Sequence, residues 1–134
     1  MILRFRDQMR QALGYRATQL GYRATQWVRV AQTDDWMRFL ASLPPSKMDA
    51  LEISPPEGGS HWGSMGFSSY SSVQFPAFDI TKQTLERTFD VVIAEQVFEH
   101  LRDPYSAARN VWRMLKDDGI FMIATPRCSW GERM

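Results

Sequence analysis

The sequence predicts an α/β fold: a partial Rossmann-like, doubly wound, mostly parallel sheet of about four strands, preceded by an N-terminal helical extension. Three observations carry this expectation. Phe89-Asp90-Val91-Val92-Ile93-Ala94 and Ile120-Phe121-Met122-Ile123-Ala124 are apolar runs rich in β-branched residues. Neither alternates apolar with polar, which predicts strands buried on both faces, as parallel strands are. Between them lies a helix signal: Asp103 as cap, Pro104 at the first position, and Ala108, Val111, Trp112 and Leu115 at i, i+3, i+4, i+7. Arg109, Arg113 and Lys116 fall on the opposite side, and Gly119 is placed to end the helix. Strand, helix and strand make a βαβ unit, whose crossover is expected to be right-handed.

Composition bounds the rest. A chain of 134 residues, 44% hydrophobic and 13% aromatic, suits a globular core. The net charge of +1 gives no global field for nucleic acid, and Lys/Arg do not interleave with aromatics as in nucleic-acid readers. One cysteine, Cys128, excludes an internal disulfide framework and fits the cytoplasm. No apolar run approaches the roughly 20 residues of a membrane span. No His/Cys/Asp/Glu cluster has metal-ligand spacing.

The first third differs in character. Between Met1 and Gln32 six arginines stand against Asp7 alone. Leu13-Gly14-Tyr15-Arg16-Ala17-Thr18-Gln19 repeats unchanged as Leu20-Gly21-Tyr22-Arg23-Ala24-Thr25-Gln26. Seven residues are about two helical turns, so equivalent side chains share a face. Two copies are too few for a solenoid or sustained coiled coil. The segment reads as a tolerant surface helix, or as a basic element for peripheral contact with a membrane or protein through residues 1–32. Thr33-Asp34-Asp35 reads as a helix start, with Trp36, Met37, Phe39, Leu40 and Leu43 as a buried face. Leu43-Pro44-Pro45 ends that helix. The expected division is residues 1–45 as extension and 46–134 as the α/β part.

Met48 to Ser54 reads as the first strand. It runs into the turn Pro55-Pro56-Glu57-Gly58-Gly59, then a short helix through Trp62, Met65 and Phe67. Tyr70 to Phe75 reads as a second strand, closed by Pro76. Thr81 to Thr88 is a polar linker, and Pro126 to Met134 carries no periodicity.

Glu52 at a strand end, Phe89-Asp90-Val91-Val92-Ile93-Ala94-Glu95-Gln96-Val97-Phe98-Glu99-His100-Leu101, then Met114-Leu115-Lys116 with Gly119, and a strand closing in Thr125-Pro126 form an ordered series. It resembles the class I S-adenosylmethionine-dependent methyltransferases, of the small-molecule type, over about Met48 to Pro126. The resemblance implies S-adenosylmethionine as cofactor and methyl transfer to a small-molecule acceptor. By resemblance Glu52 matches the acid ending the first strand. The family turn E-x-G-x-G-x-G falls on Ser54, Pro56 and Gly58, so only the last glycine is kept; Pro56 lacks an N–H and has a fixed φ. The ribose carboxylate position, about 20 residues on, falls on Gln74. Asp79 matches a position beside the adenine, and Ala94 and Glu95 positions near the methionine part. His100 is a weak candidate for a general base, since imidazole titrates near neutrality; its competing reading is a loop histidine. Glu99 reads as a loop contact, and His61 as surface or packing.

The resemblance also implies further helices and two more strands after Pro126. The expectation is therefore a truncated domain, with self-association through the open edge of Ile120 to Ala124, the family's fifth strand. The other function class consistent with Pro56 and Gln74 is a non-catalytic, methyltransferase-like interaction or membrane-surface module.

Overall fold

The computed structural model describes residues 25–57 and 60–125. The repeat of residues 13–26 and the basic segment lie almost wholly outside the described residues, as do Gly58, Cys128 and the tail from Pro126. Among the described residues, no helix is long and apolar enough to cross a membrane. Contacts divide the chain into two compact units, one through Leu43 and one from Pro44.

The first unit contains helix α1, Thr25–Ser42. Thr33 was expected to start this helix; instead the helix runs straight through it. Asp34 does not cap: its carboxylate takes an ion pair from Arg38 one turn on, at 2.8 Å. Without Gly or Pro between 25 and 32 there is no breaker to start the helix later. The end falls as expected, before Pro44-Pro45. Phe39, expected in the buried face, is half exposed, and Leu40 is buried.

The second unit is a four-stranded sheet in the order β2-β1-β3-β4, every pair parallel. The strands are β1 Asp49–Ile53, β2 Ser69–Val73, β3 Phe89–Glu95 and β4 Leu115–Ala124. Helix α2, Pro104–Met114, crosses from β3 to β4. Its start is the one the sequence signals: the Asp103 carboxylate accepts the Ser106 N–H at 3.0 Å, with Pro104 at the first turn. The expected short helix after β1 is only a 3-10 turn, Trp62–Ser64. Gly66, at φ +81°, turns the chain out of it.

Alternation assigns the faces. Leu51, Ile53, Val92 and Ala94 share one face and pack in a single cluster with Ala107, Val111 and Met114 of α2. This corrects the expected helix face. Ala107, Asn110, Val111 and Met114 point inward, while Ala108 and Trp112 are exposed. Both sets have the same i, i+3, i+4, i+7 spacing. Asn110 is affordable inside because its amide donates to the Ile80 carbonyl at 2.7 Å.

β3 is buried along nearly its whole length, as expected of a central parallel strand. β4 is not, because it pairs only with β3 among the described residues; Ile123 is 42% exposed. β4 also begins earlier than expected, directly after α2. Leu115 pairs with Phe89 and Ile120 with Val91, so Lys116 to Gly119 bulge out opposite Asp90. Gly119 therefore does not end the helix. A Cβ there would meet the Lys116 carbonyl at 2.9 Å, so glycine lets the bulge close on itself.

That bulge ties the lower end of the sheet together. The Lys116 ammonium reaches Asp90 at 2.8 Å and Asp49 at 3.3 Å. Asp49 also accepts the Ser69 hydroxyl, and its own N–H donates to Asp90 at 2.8 Å. One network thus touches all four strands. The Ser69 hydroxyl and Lys116 hold the Asp49 carboxyl below its ordinary 3.8. Burial pushes Asp90 up, but the Asp49 N–H and Lys116 outweigh it and leave it lowered. The Asp90 carboxylate, against some desolvation, raises Lys116 above 10.5. Depressed carboxylates give stability that is present above about pH 4 and is lost as pH falls through their folded values. The raised lysine gives stability present below about pH 10.5 and lost as pH rises through its folded value. Urea midpoints are expected to be flat from about pH 5 to 9 and to fall on both sides. In Lys116→Met the alkaline fall should shrink and the plateau should drop.

Candidate active site

The sheet order places a topological switch point at β1, which has β2 on one side and β3 on the other. Ligand crevices of open α/β sheets form beyond the carboxyl ends of the strands at such a point. Here both strands leave the sheet through a left-handed residue that is not glycine. Ser54 follows β1 with φ 52°, and Gln96 follows β3 with φ 58°. Each is pinned by its own N–H: Ser54 donates to the Val73 carbonyl at 2.8 Å and Gln96 to the Ala124 carbonyl at 2.9 Å. Left-handed backbone costs a residue with a Cβ about 1–2 kcal/mol. Ser54→Gly is therefore expected to raise the unfolding free energy by about 1 kcal/mol, less some glycine entropy. Urea denaturation would register the gain, and a loss of stability would show that the serine hydroxyl matters more than the strain.

Glu52 is the buried acid of the sheet, 1% exposed. It accepts the Tyr70 hydroxyl at 2.5 Å. The parallel register pairs Ala50 with Tyr70 and Glu52 with Ser72, so Tyr70 shares the face of Glu52. Burial, and then the Glu52 carboxylate, push the Tyr70 phenol up to about 12. Tyr70 therefore remains a hydrogen-bond donor throughout the neutral range. Glu95, the last residue of β3, lies on the same face by alternation and accepts the Trp62 indole N–H at 3.2 Å. Trp62 is completely buried, and its backbone N–H donates to Ser60 at 3.1 Å. The loop after β1 is thus fastened to the sheet at Glu95, while Glu52 ties β1 to β2 through Tyr70. Beside it opens a cleft of about 590 Å³, walled by Pro55, Pro56, Ser60, Tyr70, Ser72 and Gln74 among others. Small-molecule sites commonly have this size.

The residues expected from the sequence divide accordingly. Glu52, Ser54 and Glu95 gather at the strand ends, and Gln74 lines the cleft just past β2. Pro56 stands on the rim. Gly58 lies outside the described residues. Asp79 is not in the cleft wall. It closes a local turn, accepting the Thr81 N–H at 3.0 Å and hydroxyl at 2.6 Å, with Lys82 at 3.5 Å. The Thr81 hydroxyl and N–H hold its carboxyl below the ordinary value. His100 ends the 3-10 turn Phe98–His100 and is exposed; its charged neighbour is the adjacent Glu99, 3.9 Å away. The sequence does not single out Tyr70 or Trp62 as site residues. The only available signal for Tyr70 was period-2 alternation in a strand whose register with β1 is set by the fold.

Comparison with known proteins identifies the architecture. A family model described as a methyltransferase domain matches residues 33–121, about two thirds of the chain. The chain belongs to the class I S-adenosylmethionine-dependent methyltransferase family. The match begins within α1, earlier than the Met48 start that the motifs suggest. Malonyl-[acyl-carrier protein] O-methyltransferase of Halalkalibacterium halodurans is 30% identical over 90 residues, which cover 64% of this chain and 32% of that protein. The enzyme of the same name from Bacillus anthracis is 37% identical over 54 residues, 40% of this chain and 20% of that one. The chain thus spans about a third or less of the curated relatives it matches. The crystal structure of the glycopeptide N-methyltransferase MtfA superposes with a TM-score of 0.51 at 15% identity, over 66% of this chain and 51% of that one. At that identity the likeness shows the shared Rossmann-like methyltransferase fold.

Proposed function

We propose that this methyltransferase-family chain binds S-adenosylmethionine at the carboxyl ends of β1 to β3 and transfers its methyl group to a small acceptor. The observation that carries the reading is Glu52: a buried carboxylate at the switch point, oriented by a tyrosine hydroxyl and beside an open cleft. A buried charge is retained where it is hydrogen-bonded and has something to bind. The residues suit this cofactor. Glu52 and Glu95 present acceptors and negative charge to a cationic ligand, and the left-handed Ser54 supplies the backbone turn that the family makes with glycine. Gln74 offers an amide to a ribose hydroxyl, a weaker partner than a carboxylate. Gly58 completes the set by motif position. Pro56 cannot donate an N–H, so the loop contributes fewer backbone contacts than the family pattern. Asp79 keeps its turn role.

When bound, S-adenosylmethionine supplies an electrophilic methyl group on a sulfonium. The protein then mainly aligns the two reactants, which can account for a large part of the rate. No side chain is assigned as base; His100 faces outward. A cytoplasmic location belongs to the same reading. The reading as a non-catalytic module has no independent support from the fold or the relatives.

The relatives' names make a malonyl thioester the first acceptor to assay. With S-adenosylmethionine labelled in its methyl group, label is expected in an acid or thioester acceptor, together with S-adenosylhomocysteine. Failure to form either product with the full chain would reject the catalytic reading.

A further inference from the structure

Helix α2 has an outer face that neither the core nor the cleft uses. Its inner side is Ala107, Asn110, Val111 and Met114. Opposite them, at i, i+4 and i+7, run Tyr105, Arg109 and Trp112. At about 100° per residue these three fall within roughly 60° of one another, along a helix about 16 Å long. Tyr105 is 84% exposed and Trp112 75%. Arg109 is exposed too, and exposed Arg102 and Arg113 flank the line. The helix contains no acidic residue. Among the described residues none of these arginines has a carboxylate within ion-pair distance; Asp103 caps Ser106 and feels the Arg109 charge only from farther away.

A single exposed aromatic requires no explanation. Two of them on the most outward line of one helix, with an arginine between, form a patch of the residue types that anchor protein interfaces. We infer that this face docks an acidic partner protein, whose carboxylates meet Arg102, Arg109 and Arg113 while its apolar groups cover Tyr105 and Trp112. The charge complementarity is specific in kind: a guanidinium fork donates two parallel hydrogen bonds to a carboxylate. A lipid surface fits less well. A membrane-lying helix keeps a broad apolar face for the acyl boundary, whereas the apolar face of α2 is already in the core. The two remaining aromatics are interleaved with cations. This inference goes beyond the methyl-transfer reading and does not depend on it, since docking is measured without cofactor.

The test uses the full chain and a fluorescent helical peptide bearing glutamates at i, i+4 and i+7, with the glutamine version as control. The variants are Tyr105→Ala/Arg109→Glu/Trp112→Ala, the milder Arg109→Gln, and Arg4→Gln/Arg6→Gln/Arg10→Gln to control for the basic N-terminal segment. The glutamate peptide is expected to bind saturably and more weakly in high salt, while the glutamine peptide does not bind. Affinity should fall about tenfold in the triple α2 variant and about threefold in Arg109→Gln. It should hold within about twofold in the N-terminal variant. Because the changed side chains are exposed, thermal unfolding should be unchanged; if the triple variant does not fold, Arg109→Gln decides. Absent peptide binding, or binding that only the N-terminal variant weakens, overturns the inference. Binding to phosphatidylserine vesicles that needs α2, without peptide binding, overturns it in favour of a membrane.

Discussion

Trp62→Ala is expected to lower the unfolding free energy by about 3–5 kcal/mol, the cost of emptying a fully buried aromatic site. Domains of this size hold only about 5–15 kcal/mol in total. The variant should therefore unfold at much lower urea and populate unfolded chain at 37 °C. Trp62 also fastens the loop after β1 to Glu95 through its indole N–H. Trp62→Phe separates the two contributions. It keeps most of the ring volume and loses the hydrogen bond, and should cost roughly 1–2 kcal/mol. If both substitutions cost the same, the hydrogen bond rather than the packing holds the loop. If neither costs more than about 0.5 kcal/mol, within the range of surface substitutions, the burial of Trp62 is not part of the stable fold.

Glu52→Gln should have the opposite profile, little change in stability and a large change in binding. The amide oxygen can still accept the Tyr70 hydroxyl, and the burial of a charge is relieved. A hydrogen bond to a charged group is worth about 1.5–3 kcal/mol, so affinity for the cofactor should fall about tenfold to a hundredfold. A second readout is independent of any ligand. The Tyr70 phenol, at about 12, is raised first by burial and then by Glu52. Ultraviolet titration of Glu52→Gln should show the most basic tyrosine moving part of the way back toward 10, because burial remains. If that tyrosine stays at about 12 in Glu52→Gln, the carboxylate is not its partner.

Much of the fold was legible because the chain repeats its signals. The apolar run at Phe89, the Asp103-Pro104 helix start and the proline stop after Leu43 each combine two independent physical preferences. What was not legible depended on choices between equal patterns. Two faces of α2 share one spacing, and Trp112 looked more core-like than Asn110; the Ile80 carbonyl decides otherwise by satisfying the buried amide. Gly119 could end a helix or close a bulge, and only the pairing of Leu115 with Phe89 selects the bulge. Thr33-Asp34-Asp35 has the composition of a helix start, but Arg38 engages Asp34 within a helix already under way.

The strand-end acids of the candidate site could be read in advance, since strand ends are visible in sequence and ligand crevices lie beyond them. Their partners could not. Tyr70 reaches Glu52 through the register of two parallel strands, and Trp62 reaches Glu95 through the path of a loop. Asp79 shows the converse: the family resemblance places it beside the adenine, while its Oδ1 closes a turn with Thr81.

The central claim is that the ends of β1 to β3 form a cofactor site. Titration of the full chain with S-adenosylhomocysteine, followed by calorimetry and by thermal unfolding, tests it most directly. The expected result is saturable one-site binding with a rise in unfolding temperature, weakened in Glu52→Gln and retained in the α2 surface variants. The contradicting result is no heat and no stabilisation at millimolar ligand from a chain that unfolds cooperatively.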